Sequence, residues 1–248
     1  METQNNKPKV IGIILAYKHA KYLEELYKSL PKEAFDEIII SNDETGDGIE
    51  KIAERLGIKC FSHPRGHYGG NMKYGLNKAM ELGGDIMVEI HGDGQYGTSA
   101  IIPGIAKMKE GYDFVMGSRF INTFEPLVKY KMPLIRFMAN VGLSFIDRLV
   151  FRIPISEFHS GSRFYSRKQL ESIPLHLTAN DHLFSFQLIS LTIFHRLRVA
   201  EVPVICDYRK EHSSIKMSWA VKYAFQTMGV LVQYILAKLG FKTTLFIN

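Results

Sequence analysis

The chain has 248 residues, of which 46% are hydrophobic and 23% are charged, and these ordinary globular values exclude a largely disordered chain. The net charge of +6 is uneven, because residues 1–118 sum to −3 and residues 119–248 sum to +9. The basic second half predicts an anionic partner, either phosphate groups or a membrane surface. Nucleic acid is disfavoured because no dense run of lysine and arginine and no recognisable binding module accompanies the charge.

The first half alternates short apolar runs with segments of helical periodicity. Strands are predicted at residues 10–16, 35–41, 58–62, 86–90 and 113–116, and helices at residues 22–30, 49–56, 71–82 and 101–110. Strands and helices that alternate through short connections predict an α/β fold with a parallel, doubly wound sheet and helices on both faces.

The second half is less regular. Residues 120–133 are predicted to be loop, and residues 134–151 and 181–195 helices. Strands are predicted at residues 164–166 and at residues 199–208, where Pro203 breaks the strand. The polar residues 1–9 do not resemble a signal peptide, and Cys60 and Cys206 stand singly without CxxC spacing. We therefore expect reduced thiols and a cytoplasmic protein.

Residues 219–240 form the most apolar predicted helix. Its uncharged run covers only residues 223–237, whereas spanning a bilayer takes about 20 predominantly apolar residues. Trp219 and the flanking Lys222, Lys238 and Lys242 are typical of a helix that lies in a membrane interface or contacts another subunit. The alternative is a helix of the protein's own core.

The residues around the predicted strand 86–90 carry the clearest chemical signal. His91, Asp93 and Gln95 follow this strand, separated by Gly92 and Gly94. Open α/β sheets bind ligands at the carboxyl ends of their strands, and hard oxygen donors there favour Mg²⁺ or Mn²⁺ that also holds a diphosphate. A plain turn is the alternative interpretation.

Several short motifs occur in one order along the chain. They are the loop at residues 15–19, the acidic loop at 41–48, the Gly-rich segment at 66–71, the His-Gly-Asp-Gly-Gln segment at 91–95, Gly-Ser-Arg at 117–119, Ser-Gly-Ser-Arg at 160–163 and Glu-Val-Pro at 201–203. In this order and spacing the chain resembles the inverting glycosyltransferases of family 2, which have the GT-A fold, and among them the dolichol-phosphate mannose synthase-like branch. His91 stands where the family has the first acid of its Asp-x-Asp-x-Gln motif, and Asn42 stands where it has an aspartate.

The resemblance implies a role for each matching residue. The implied donor-binding residues are Ala16, Tyr17, His19, Asn42, Asp43, Arg65, Gly69, Gly92 and Asp93. The implied ligands for Mg²⁺ or Mn²⁺ are Asp93, Gln95 and His91, and the alternative for His91 is a loop histidine that only forms hydrogen bonds. Arg119, Arg136, Arg163 and Arg209 are implied at phosphates of the donor or acceptor, and Asp93, Arg119 and the candidate base Asp181 are implied in catalysis. Asp181 and Asp43 each have the alternative of capping a helix, and Arg119, Arg136 and Arg163 each have the alternative of an ordinary ion pair.

The resemblance also implies a division of the chain and a reaction. Residues 1–218 are expected to form the GT-A domain, and residues 219–248 a C-terminal apolar helix for membrane or oligomer contact. The expected reaction moves a sugar from a nucleotide-diphosphate sugar to a polyprenyl phosphate or a lipid-linked glycan, at the inner face of the membrane. The alternatives are transfer to a soluble sugar or protein hydroxyl, and a non-catalytic nucleotide-binding subunit.

Overall fold

The computed structural model describes residues 7–44, 46–206, 208 and 217–247. The strands are β1 Val10–Ala16, β2 Glu37–Asp43, β3 Lys59–His63, β4 Ile86–His91, β5 Phe114–Ser118, β6 Arg163–Ser166 and β7 Val199–Pro203. The helices are α1 Ala20–Ser29, α2 Ile49–Leu56, α3 His67–Glu81, α4 Ile101–Lys109, α5 Glu125–Val128, α6 Leu134–Phe151, α7 Arg167–Ser172, α8 Leu183–Phe194 and α9 Met217–Lys238. The predicted alternation of strands and helices is confirmed.

The strands form one sheet in the order β3-β2-β1-β4-β6-β5-β7. β6 runs antiparallel to both of its neighbours, and the other pairings are parallel. The sheet is thus mostly parallel, and the parallel arrangement that the sequence predicts holds for every strand except β6. Between β1 and β4 the order changes direction, and at such a point an open α/β sheet has a crevice outside the carboxyl ends of its strands, where ligands bind.

Alternate residues of each strand face opposite sides of the sheet and build two cores. One core contains Ile13 of β1 and Met87 of β4 with apolar residues of α3, α6, α8 and α9. The other contains Ile14 and Val88 with residues of α1, α2 and α4. The helices on both faces confirm the doubly wound arrangement.

The C-terminal helix α9 has one buried and one exposed face. Val230, Leu231 and Tyr234 lie in the first core, whereas Phe225 and Val232 are exposed. The core interpretation therefore describes the buried face of this helix, and the surface interpretation describes its exposed face. The predicted domain boundary after residue 218 stays a prediction. None of the described helices combines the length and hydrophobicity needed to cross a bilayer.

Candidate functional site

The loops that follow β1, β2 and β4 meet at one edge of the sheet. Leu15 of β1 is paired with His91 of β4, and Ala16 is paired with Asn42 of β2. The amide of Gly92 donates to the carbonyl of Leu15 at 3.0 Å and joins the two loops. Most of the predicted donor and metal residues are therefore brought to one place.

His19 lies against the start of the predicted metal loop. A Cβ atom at Gly92 would lie 2.8 Å from Nδ1 of His19, so this close approach requires glycine. Burial lowers the pKa of His19, and the negative charge of Asp93 partly offsets that effect. The structure thus places His19, Gly92 and Asp93 together.

Asp93 and Gln95 form a tight turn beyond β4. Asp93 is 9% exposed, and its Oδ1 accepts a hydrogen bond of 3.0 Å from the amide of Gln95. Gly94 has a φ of 64°, a conformation that glycine adopts without strain. A carboxylate and a carboxamide on such a turn match the oxygen ligands of Mg²⁺ or Mn²⁺.

A metal held here would need ligands beyond the protein. Within residues 7–44, 46–206, 208 and 217–247, no three His, Cys, Asp or Glu side chains are grouped closely enough to hold an ion. Mg²⁺ is usually bound by one or two carboxylates together with substrate phosphates and water. The turn at Asp93 and Gln95 fits an ion of that type, with the remaining ligands supplied by a diphosphate.

Asn42 and Asp43 end β2 and point to different sides of the sheet. The amide nitrogen of Asn42 donates to Glu50 at 2.6 Å and to Ser62 at 3.1 Å, while its buried Oδ1 has no hydrogen-bond partner. Asp43 Oδ1 accepts from the amide of Gly66, the residue before α3, at 2.5 Å. Asp43 thus stabilises the start of a helix, and Asn42 is tied to α2 and β3.

Arg65 and Tyr17 lie side by side in the loops that follow β3 and β1. The guanidinium carbon of Arg65 is 5.3 Å from the centre of the Tyr17 ring, in cation–π geometry. Gly69 has a different environment. Its amide donates to the carbonyl of Asn180 at 2.7 Å, and a Cβ at Gly69 would lie 2.6 Å from the carbonyl oxygen of Ala179. The close approach that Gly69 permits is therefore to the segment before α8.

A buried polar network lies beneath the crevice, around Glu89 of β4. The carboxylate accepts from the hydroxyls of Tyr68 and Tyr165, each at 2.5 Å, and its Oε1 lies 3.0 Å from Nε2 of His91. Arg163 lies 3.7 Å from the other oxygen. Sequence reasoning assigned no role to Glu89, although a glutamate inside an apolar strand was the available signal.

Arg163 is a correction to the sequence analysis. The prediction put it at a phosphate, but its side chain is 2% exposed and its guanidinium donates to Tyr68 at 3.1 Å and to Ser185 at 2.7 Å. A buried guanidinium needs a compensating carboxylate, and Glu89 supplies it. Arg163 therefore belongs to the core and does not form a phosphate-binding surface.

Burial and neighbouring charge have opposite effects on the pKa of His91. Burial alone would lower the pKa of His91, but the hydrogen bond and negative charge of Glu89 raise it above its ordinary value. Nε2 of His91 also lies 3.0 Å from the carbonyl oxygen of Gly161. The ring is thus anchored on one nitrogen by two oxygen atoms.

Arg119 and Arg136 converge on Tyr208. Arg119 NH1 donates to the Tyr208 hydroxyl at 2.5 Å, and the Arg136 guanidinium carbon lies 5.6 Å from the centre of the Tyr208 ring. Arg119 also forms an ion pair with the buried Glu157 and donates to Asn140 at 3.3 Å. Burial disfavours the charge of Arg119, but Glu157 raises its pKa well above the ordinary value. Arg209 lies outside the described residues.

Asp181 and His182 border the crevice before α8. Asp181 Oδ1 accepts from the amide of Leu183 at 2.9 Å, which is the helix-capping alternative for this residue. His182 stacks on Tyr68 with ring centres 4.9 Å apart, and Tyr68 in turn stacks on His91 at 5.8 Å. Burial, with a smaller effect of His91, lowers the pKa of His182. The sequence analysis did not select His182, since its neighbours in the crevice are remote in sequence.

Known proteins show the same fold and related sequences. A protein of Methanocaldococcus jannaschii without an assigned activity is 28% identical over 206 residues, which cover 82% of this chain and 83% of that protein. The UDP-N-acetylglucosamine–dolichyl-phosphate N-acetylglucosaminyltransferase of Methanococcus voltae is 28% identical over 215 residues, which cover 79% of this chain and 84% of the relative.

A solved structure extends the likeness to the fold. Glucosyl-3-phosphoglycerate synthase from Mycobacterium tuberculosis, in complex with Mn²⁺ and UDP-glucose, superposes with a TM-score of 0.65 at 18% identity, covering 95% of this chain and 80% of the synthase. The sequence profile described as glycosyl transferase family 2 matches residues 13–173. The chain therefore belongs to glycosyl transferase family 2 and has the GT-A fold.

Proposed function

We propose that this glycosyltransferase moves a sugar from a nucleotide-diphosphate sugar to a polyprenyl phosphate or a lipid-linked glycan, with inversion and with a divalent ion. The observation that carries the proposal is that Arg119 and Arg136 converge on Tyr208, while Leu134, Ile135 and Met138 are exposed on the same helix as Arg136. The Methanococcus voltae relative is named for a dolichyl-phosphate acceptor, which supports this choice of acceptor.

The donor is proposed to bind along the ends of β1, β2 and β4. Ala16, Tyr17 and His19 line the base pocket, Asp43 contacts base or ribose, and Arg65 extends over Tyr17 at the entrance. Asp93 and Gln95 hold Mg²⁺ or Mn²⁺, with His91 as a third ligand. When bound, the ion offsets the negative charge that grows on the leaving diphosphate.

The acceptor phosphate is proposed to bind at Arg119 and Arg136. Glu157 and Asn140 hold the Arg119 side chain in a fixed orientation, so little conformational entropy is lost on binding. Arg136 is half-buried and supplies a second guanidinium to the phosphate. A phosphate oxygen that is already ionised can attack the sugar carbon in line, and no general base is then required.

An apolar surface is proposed to place the protein on a membrane. We define this apolar surface by exposed side chains on or beside α5, α6 and α9, helices that pack together: Phe124, Val128, Leu134, Ile135, Met138, Phe145, Leu149, Trp219, Val221, Phe225, Val232, Leu239 and Phe241. Asp147 is the one acid of α6 and α9, and it is fully buried.

The charges of α6 and α9 support a membrane as the partner. The exposed charged residues of these helices, Arg148, Lys222 and Lys238, are all basic and suit an anionic leaflet. We propose peripheral binding at the inner face of the membrane, near the lipid-linked acceptor. Contact with a second copy of the chain is the competing use of this surface, and sedimentation without lipid distinguishes it.

The function is tested by a transfer assay. The purified chain is incubated with UDP-, GDP- or dTDP-sugars, Mn²⁺ and polyprenyl phosphate in liposomes, and the glycolipid is measured. Asp181→Asn is expected to retain transfer to polyprenyl phosphate, because that acceptor needs no base. Loss of transfer with retained donor binding would instead identify a hydroxyl acceptor. Failure to bind any nucleotide with Mn²⁺ would contradict the donor site.

A further inference from the structure

The imidazole of His91 has only one nitrogen available to bind a metal ion. Its Nε2 lies 3.0 Å from the carbonyl oxygen of Gly161 and 3.0 Å from Oε1 of Glu89. A backbone carbonyl has no proton to donate, so Nε2 carries the hydrogen of both contacts. In the neutral ring the lone pair is therefore on Nδ1.

Glu89 is held too firmly to release the ring. Its side chain is fully buried and accepts two tyrosine hydroxyls, from Tyr68 and Tyr165, at 2.5 Å. Gly161 adds a steric constraint, because a Cβ at that position would lie 2.5 Å from Nε2 of His91. Nε2 of His91 is thus in contact with two oxygen atoms, one from the carboxylate of Glu89 and one from the carbonyl of Gly161.

We propose that Glu89, together with the carbonyl of Gly161, fixes the proton of His91 on Nε2 and presents Nδ1 as a ligand for the divalent ion beside Asp93. Glu89 is a positioning residue, since it acts through the imidazole. Histidine ligands of protein metals typically donate their second N–H to a carboxylate or a backbone carbonyl, and here both acceptors are present. The inference rests on the proposed function, which requires the ion, and it goes further by assigning a role to Glu89.

The arrangement has a consequence for the choice of metal. Residues 89 and 91 lie on the same face of β4. The family motif has its first acid at the position of residue 91, whereas this chain has a histidine there and a carboxylate at residue 89. An imidazole suits Mn²⁺ better than Mg²⁺, which favours oxygen ligands. We therefore expect a larger preference for Mn²⁺ in this chain than in its His91→Asp variant.

The first test uses the unaltered protein. Histidine labelled with ¹⁵N is followed by NMR at alkaline pH, where the ring is neutral, before and after addition of Mg²⁺ and UDP. The expected result for His91 is a protonated Nε2 and an unprotonated Nδ1 whose resonance shifts when the ion is added. A proton on Nδ1, or a resonance that Mg²⁺ leaves unchanged, would overturn the proposal.

The second test is a double-mutant cycle on the Kd of Mn²⁺ in the presence of UDP, measured by electron paramagnetic resonance. Glu89→Gln is expected to weaken Mn²⁺ binding by about 10- to 100-fold in the native background. In the His91→Ala background the same substitution should change the Kd by less than about twofold, because no ring remains to be positioned. An equal loss in both backgrounds would show that Glu89 acts only on the fold.

A control variant separates a specific loss of Mn²⁺ binding from a general disturbance of the buried core. Thr192→Val removes another buried hydrogen bond, from Gln169 at 2.7 Å, and should leave the Kd of Mn²⁺ unchanged. If Glu89→Gln does not fold, because Arg163 loses its carboxylate, the NMR measurement on the native chain still decides the matter. Both readouts need only UDP and the ion. A failure to glycosylate polyprenyl phosphate would therefore count against the proposed function and leave this inference standing.

Discussion

Removing one exposed aromatic ring from the apolar surface should weaken membrane binding without affecting folding. Phe225 on α9 is 75% exposed, so about 150 Å² of its side chain is available to lipid. At about 25 cal/mol per Å², complete burial would contribute about 4 kcal/mol, and insertion of half the ring about 2 kcal/mol. Phe225→Ser should therefore lower partitioning into anionic liposomes by about 30-fold, as measured by liposome co-sedimentation.

The control lies on the opposite face of the sheet. Ile102 on α4 is 57% exposed, and Ile102→Ser removes an apolar side chain from a surface that we do not assign to the membrane. Its partitioning should match that of the native chain, and both variants should keep the native midpoint of thermal unfolding. Equal partitioning of the two variants would refute the assignment of the apolar surface to the membrane.

Three further predictions concern the core, a surface ion pair and the metal loop. Gly104→Ala would place a methyl group against a buried phenylalanine ring and should lower the free energy of unfolding, measured in urea, by about 1–3 kcal/mol. Gly142→Ala is the control, because the space around its Cβ is open, and it should raise the free energy of unfolding by about 0.5–1 kcal/mol. Equal effects of the two substitutions would contradict the packing. Hydrogen bonds from lysines, chiefly Lys59, lower the pKa of Glu37. The contribution of Glu37 to stability is therefore present above its unfolded pKa and is lost as pH falls through the lower folded pKa. Glu37→Gln should make the free energy of unfolding less dependent on pH in this range, and an unchanged pH profile would contradict the pairing. Asp93→Asn should weaken Mn²⁺ binding in the presence of UDP by about 100-fold in calorimetry, and native affinity in this variant would rule out the metal site.

The order of strands and helices could be predicted because local patterns determine it. The predicted bounds of β1, α2 and α6 are those of the structure. The start of α3 was predicted four residues too late, at Asn71 instead of His67, because the Gly-rich segment before it carries no helical periodicity. The structure begins that helix earlier because the carbonyl of Asn180, remote in sequence, accepts from its first turn.

Strand direction also depended on remote neighbours. β6 is antiparallel to β4 and β5, and its four residues gave no local indication of direction. The strand over residues 199–208 ends at Pro203, the residue at which the sequence predicted its break, because proline lacks the N–H group needed to continue a ladder. Within residues 120–133, predicted to be loop, the structure forms the short helix α5.

The sequence by itself determined the α/β alternation, the family motifs and the presence of an acid and an amide in the loop after β4. Only the tertiary structure decided the partners of the charged residues: Arg163 is neutralised in the core by Glu89, whereas Arg119 is paired with Glu157 and meets Arg136 at Tyr208. The physical reason is that hydrophobic periodicity is encoded among near neighbours, whereas the burial of a charge depends on a partner that folding brings from elsewhere in the chain.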